Sequence, residues 1–145
     1  MTVLFVCTGN TCRSPMAEAL MRAELRRRGI SAPVISAGLA ARGEPIAHNA
    51  AAALAEWGID AARHRARPLT RDMWEAADAV AVMTEDHRRL LLAAGVPADK
   101  LRVLADGIPD PFGGDIAVYR RCRDALQQAV CDLADELFGK KGAAE

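Results

Sequence analysis

Val3-Leu4-Phe5-Val6-Cys7-Thr8-Gly9-Asn10-Thr11-Cys12-Arg13-Ser14-Pro15 is the stretch that decides the fold of this 145-residue chain. Thr2 to Val6 is almost wholly apolar and rich in β-branched and aromatic residues, the pattern of a strand buried on both faces. Cys7 falls at its carboxyl end, where open α/β sheets place their ligands. Gly9 lets the backbone turn sharply and approach a ligand. Asn10 tolerates left-handed geometry and can brace a loop with side-chain hydrogen bonds. Ser14-Pro15 predicts a helix start, with the hydroxyl as N-cap, proline at the first helical position, and Glu18 completing a capping box.

Strand, Cys-x5-Arg loop and helix start together gather a thiol, a ring of backbone N–H groups and a guanidinium around one point. Unpaired N–H groups and the positive end of the helix dipole make an anion site. Arg13 adds a planar fork matched to two phosphoryl oxygens, which lysine does not reproduce. The same field favours a thiolate: free cysteine titrates near 8.5 and falls to roughly 3.5–7.5 in such surroundings. Cys7 is therefore expected to be ionised at neutral pH, with Ser14 donating a hydrogen bond to it. A nucleotide-binding P-loop is excluded, because Gly-Lys-Ser/Thr is absent. The chemistry expected is phosphoryl transfer to sulfur.

Such transfer needs a proton for the leaving group and then a base for water. Asp110 lies between Pro109 and Pro111, which stiffen it on both sides, and Gly113-Gly114 follow. Asp106 and Asp115 lack that bracket. A plain turn aspartate in a Pro/Gly loop fits the local pattern equally, so these residues alone leave Asp110 open.

The loop Cys7-Thr8-Gly9-Asn10-Thr11-Cys12-Arg13-Ser14 resembles the signature of the low-molecular-weight protein tyrosine phosphatase family. The likeness continues through Ser36-Ala37-Gly38, His64 to Leu69, Asp78 to Met83 and Asp110-Pro111-Phe112-Gly113-Gly114, and covers nearly all of residues 2–138. The resemblance implies a nucleophile at Cys7, oxyanion stabilisation by Arg13 and a general acid at Asp110. It also implies a phosphate-binding loop of Thr8, Gly9, Asn10, Thr11, Cys12 and Ser14, with no metal and no cofactor. Thr11, where the family often carries isoleucine, and Phe112, where it tends to carry tyrosine or tryptophan, look like the protein arginine phosphatase branch. A guanidinium leaving group is polar and cationic. A hydroxyl at position 11 suits it, whereas an isoleucine would crowd and desolvate it. The expected substrate is a phosphorylated protein side chain, phosphoarginine before phosphotyrosine, and the branch implies opposition to a protein arginine kinase. Thiol-linked arsenate reduction on the same scaffold would use extra cysteines in mid-chain, and residues 79–95 hold none. A non-catalytic phosphate-reading module would not need both Cys7 and Asp110.

The rest of the chain bounds this reading. One domain is expected over residues 1–139, with residues 140–145 as a tail. Helices are expected at about 14–28, 46–57, after Thr84 and at 115–138, and strands at 2–7, 33–36, 78–83 and 101–104. That alternation predicts an α/β fold with a small, four-stranded parallel sheet and helices on both faces. Ile116, Tyr119, Leu126, Val130, Leu133 and Leu137 form the buried stripe of the last helix. Zero net charge implies no bulk attraction to nucleic acid or membrane, and no apolar run approaches the ~18 residues of a membrane span. A cytoplasmic location is expected, with no leader visible. Arg26-Arg27-Arg28 and the set Arg63, Arg65, Arg67 and Arg71 read as solvated, and Trp57 and Trp74 as packing residues. Cys122 and Cys131 lie nine apart, on opposite sides of one helix, and have no zinc spacing. Cys12 shares the loop with Cys7, and a reversible Cys7–Cys12 disulfide would silence the nucleophile. No histidine is assigned a catalytic role, although His64 can brace the structure.

Overall fold

The computed structural model describes residues 1–140. Four parallel strands, β1 (Val3–Cys7), β2 (Val34–Gly38), β3 (Ala79–Val82) and β4 (Leu101–Val103), form one sheet in the order β2-β1-β3-β4. Among the described residues, five α-helices connect and cover them: α1 (Arg13–Arg28), α2 (His48–Ala55), α3 (Arg71–Ala76), α4 (Glu85–Ala94) and α5 (Ile116–Phe138). The fold is the expected α/β fold with a four-stranded parallel sheet.

The alternation of β1 assigns its two faces. Val3 and Phe5 point to a core shared with α1, α2 and α5, which includes Met16, Leu20, Leu54, Leu126 and Val130. Leu4 and Val6 point to a second core with Trp74 of α3 and Leu91 of α4. Full burial of large apolar side chains stabilises each face by about 1.5–3 kcal/mol per residue. The chain leaves β1 towards β2 on one side and returns to β3 on the other. The switch point therefore lies at the carboxyl end of β1, where Cys7 sits.

Several local expectations need correction. Ser14 is not the cap of α1: the helix starts at Arg13 after Cys12, no side chain caps it, and the Ser14 hydroxyl is turned inward instead. The capping box with Glu18 is absent for the same reason, since Glu18 accepts from Ser36 Oγ at 2.5 Å and pairs with Arg22. α4 and α5 begin where expected, and the structure shows Thr84 and Asp115 capping them, accepting from His87 N and Val118 N. α3 had no expected counterpart. α2 stops at Ala55, and Trp57 is exposed, with the Arg123 guanidinium 4.0 Å from its ring. Trp74 packs in the core as expected. Arg28 is not solvated, because buried Glu24 and Asp135 of α5 hold it at 2.6 and 2.9 Å. The expected tail lies almost wholly outside the described residues. Among the described residues, no helix is long and apolar enough to cross a membrane.

Candidate active site

The loop from Thr8 to Cys12 joins β1 to α1 and is braced from within by Asn10. Asn10 adopts φ 56°, the left-handed conformation for which asparagine is suited. Its side-chain amide donates to Ser14 Oγ at 2.7 Å and Ser36 Oγ at 2.9 Å, and its side-chain oxygen accepts from Arg67 N at 3.0 Å. Its backbone carbonyl contacts His64 Nε2 at 2.7 Å, so His64 braces the loop as its position suggested. Ser36 passes the network to buried Glu18, and Glu18 to Arg22. The backbone of β2 approaches so closely that a Cβ on Gly38 would lie 2.8 Å from Thr8 O and 2.9 Å from Asn10 N. Leu39 N donates to Cys7 O and Ala40 N to Thr8 O, at 3.1 and 2.8 Å. Thr11 O accepts from Ala47 N at 2.9 Å, which ties the loop to the segment before α2.

Cys7 is 3% exposed and its sulfur has two polar neighbours. Ser14 Oγ lies 2.9 Å away and Asn10 N donates at 3.3 Å. Both groups stabilise negative charge on sulfur, and the amino end of α1 adds its dipole. Arg13, on the first turn of α1, is buried. Its NH1 donates to Ile108 O at 2.9 Å and its NH2 lies 3.6 Å from Asp110 Oδ2. Its Nε is buried with no hydrogen-bond partner among the described residues, a donor still to be matched. The structure thus brings Asp110, distant in sequence, to the loop. The Asp110 side chain is 53% exposed, and its Oδ1 accepts from Phe112 N at 3.1 Å. Phe112 is the most exposed large apolar residue of the chain at 77%.

Of the remaining loop positions, Thr8 is exposed, Gly9 and Thr11 are half-buried, and Cys12 is buried with its sulfur 3.2 Å from Tyr119 Oη. Burial pushes the Cys12 thiol above the usual range, against a lowering by that hydrogen bond, and burial pushes the Tyr119 hydroxyl up as well. Burial also drives the Cys122 thiol up to about 12. All four cysteines are free thiols. Arg63, Arg65 and Arg67 are exposed and line a groove of about 670 Å³ against α1, whereas Arg71 lies apart on α3, paired with Glu75.

Sequence reasoning passed over His87, which α4 buries against the loop with Nε2 at 3.0 Å from Thr8 Oγ1, and over Tyr119, Ser36 and Glu18 as loop supports. Their partners lie 18 to 107 residues away along the chain, so no local pattern marks them.

A family model described as "Low molecular weight phosphotyrosine protein phosphatase" matches residues 2–143. A protein-arginine-phosphatase of Bacillus subtilis is 41% identical, over 94% of this chain and 97% of that protein. A probable low molecular weight protein-tyrosine-phosphatase of Ralstonia nicotianae is 36% identical, over 89% of this chain and 90% of its own length. Among solved structures, the YwlE arginine phosphatase as a cysteine-to-serine mutant with a phosphorylated active-site serine superposes with a TM-score of 0.88. It is 39% identical, over 94% of this chain and 95% of that one.

Proposed function

The chain belongs to the low-molecular-weight phosphotyrosine protein phosphatase family, and from that premise we propose that it removes phosphate from phosphoarginine side chains of proteins through a cysteinyl-phosphate intermediate. The observation that carries this reading is the convergence on one loop of Cys7 Sγ, the unmatched buried Nε of Arg13, and the half-exposed carboxylate of Asp110.

In the first step the Cys7 sulfur, as thiolate, attacks phosphorus in line. The S–P bond forms, the P–N bond to the guanidinium breaks, and Asp110 gives its proton to the departing nitrogen. Backbone N–H groups from Thr8 to Arg13, with the Arg13 fork, stabilise the equatorial oxygens as charge redistributes. In the second step the Asp110 carboxylate takes a proton from water, the new O–P bond forms, and the S–P bond breaks to release phosphate and the thiolate. Arg13 NH2 positions Asp110, and once Asp110 has given up its proton the half-exposed carboxylate faces the departing guanidinium cation, which favours that leaving group over a phenol. Thr11, half-buried in the phosphate loop, offers a hydroxyl there without the bulk of a branched aliphatic side chain. The B. subtilis arginine phosphatase, similar over nearly the full length of both chains, supports this choice. On this reading the enzyme acts in the cytoplasm against a protein arginine kinase.

One observation favours phosphotyrosine as the second reading: exposed Phe112 beside Asp110 offers a face on which a phenol ring can stack. The test is kcat/KM on a phosphoarginine peptide and a matched phosphotyrosine peptide, side by side. A large preference for phosphoarginine is expected. A preference for phosphotyrosine overturns the specificity while retaining the thiol chemistry, and turnover of neither overturns both.

A further inference from the structure

His87 is a buried polar group that the two-step scheme leaves unused. It sits on the first turn of α4, 5% exposed, with Nε2 at 3.0 Å from Thr8 Oγ1 and Nδ1 buried without a partner among the described residues. Thr8 follows Cys7 directly, so this hydrogen bond ties α4 to the first residue of the phosphate loop. The charged groups acting on the ring are Arg13 from α1, Asp86 from its own helix and Asp110 from the acid loop. Burial, followed by the repulsion of Arg13, pushes the imidazole below the usual histidine range, against the two aspartates. The amino end of α4 acts in the same direction as Arg13. The ring is therefore neutral, with one N–H and one bare nitrogen.

The orphaned Nδ1 decides which nitrogen carries the proton. Buried N–H donors without acceptors are rarer in proteins than under-satisfied acceptors. In the tautomer that leaves Nδ1 bare, Nε2–H donates to Thr8 Oγ1. That assignment has a consequence for Thr8. Its oxygen is occupied as an acceptor, so its own hydroxyl proton is free for another group. Thr8 is exposed at the loop, where the phosphoryl group would be carried.

We propose that His87 is a positioning residue acting through Thr8: its Nε2–H fixes the hydroxyl, which then donates its own proton to the phosphoryl group held beside Cys7. This rests on the phosphatase reading only for the identity of the anion. The role is distinct from those of Arg13 and the backbone N–H groups, because it belongs to a side-chain pair spanning two elements.

The experiment measures the Kd for inorganic phosphate, and kcat/KM on p-nitrophenyl phosphate, for wild type, T8V, H87L, H87Q and the T8V/H87L double variant. The glutamine of H87Q supplies an N–H close to the position of Nε2, and the leucine of H87L removes it while filling the space. A lost hydrogen bond to a charged group corresponds to about 10- to 100-fold. T8V and H87L are each expected to weaken phosphate binding and lower kcat/KM in that range. The double variant should be no worse than the worse single one, and H87Q should recover most of the loss with an unchanged acid limb of the pH profile. Losses that multiply in the double variant, or an H87L loss with T8V at wild-type level, would overturn the proposal, since His87 would then act on packing alone. Should H87L fail to fold, T8V and H87Q decide it: a wild-type T8V or an H87Q as impaired as T8V contradicts the pair. Absent turnover by the wild type, with phosphate binding following the expected pattern, would refute the phosphatase reading and leave this one standing.

Discussion

Gly38→Ala tests whether the phosphate loop is held rigidly from behind. An added methyl would lie 2.8 Å from Thr8 O and 2.9 Å from Asn10 Cβ and N, where ordinary contact begins at about 3.4 Å. Relief requires a backbone shift of about half an ångström. β2 cannot supply it cheaply, because Gly38 N donates to Arg67 O and Gly38 O accepts from Leu69 N, both at 2.9 Å. The loop must move instead, against the Asn10 hydrogen bonds to Ser14, Ser36 and Arg67. Overpacking of this kind costs about 1–3 kcal/mol. In a chain of this size that lowers the unfolding midpoint by roughly 3–12 °C. Catalysis should suffer more than stability, since a misplacement of about 1 Å costs on the order of 10²-fold. The expected result is a folded protein with kcat/KM on p-nitrophenyl phosphate reduced about 10- to 100-fold. Thermal unfolding and steady-state kinetics on the same preparation measure both. Wild-type kinetics together with a wild-type midpoint would refute the claim that close approach of β2 fixes the loop.

Four further outcomes are expected. Asp110→Asn should lower kcat on a phosphoarginine peptide by about 10²- to 10⁴-fold, the range for general acid–base catalysis, while shifting the unfolding midpoint little because the side chain is half-exposed; unchanged kcat would remove Asp110 from the chemistry. Glu56, held at about 2 by hydrogen bonds from Arg120 and Arg123, has a folded value below its unfolded one near 4.3. Its contribution is complete above about pH 4.3 and fades as pH falls towards 2, so the midpoint difference between wild type and Glu56→Gln should shrink over that window, and a constant difference would contradict the ion pairs. Burial raises Cys12, Cys122 and Cys131 above the usual thiol range, so brief iodoacetamide treatment of the native protein at pH 7 should label Cys7 alone and inactivate in step with that label; peptide mapping that finds Cys122 labelled in the folded state would count against the packing described. EDTA should leave activity unchanged, and its loss would show that arginine and backbone amides do not suffice.

Legibility in the sequence followed the range of the interactions. Val3 to Val6 could be read as a doubly buried strand because every residue is apolar, and the place of Cys7 at its carboxyl end followed, whereas the strand order that puts a switch point there came only with the structure. The starts of α4 after Thr84 and of α5 near Asp115 were legible because a helix start is marked within a few residues, and the structure adds that both side chains cap. Ser14 was misread by the same local rule: a hydroxyl before proline looks like a cap, but this one is drawn to the Cys7 sulfur and the Asn10 amide. α3 escaped notice because six residues carry little periodicity; it is held by the Thr70 cap and by the packing of Trp74 into the second core. Trp57 looked like a core residue because composition cannot show that α2 ends two positions earlier and that Arg123 covers the ring from α5. The bonds Thr8–His87, Cys12–Tyr119 and Ser36–Glu18 form between distant segments and exist only once the sheet is assembled. Asp110 lies between these cases, since its proline bracket marks a stiff loop but only the fold brings it to Arg13.

The central claim is that phosphate passes through the sulfur of Cys7, and rapid acid quenching during turnover tests it most directly. Mass analysis of the quenched protein should find one phosphate on the peptide containing Cys7, accumulating with Asp110→Asn on an activated substrate and absent with Cys7→Ala. Turnover with no covalent phosphate on any residue, or with phosphate on a residue other than Cys7, would contradict the account.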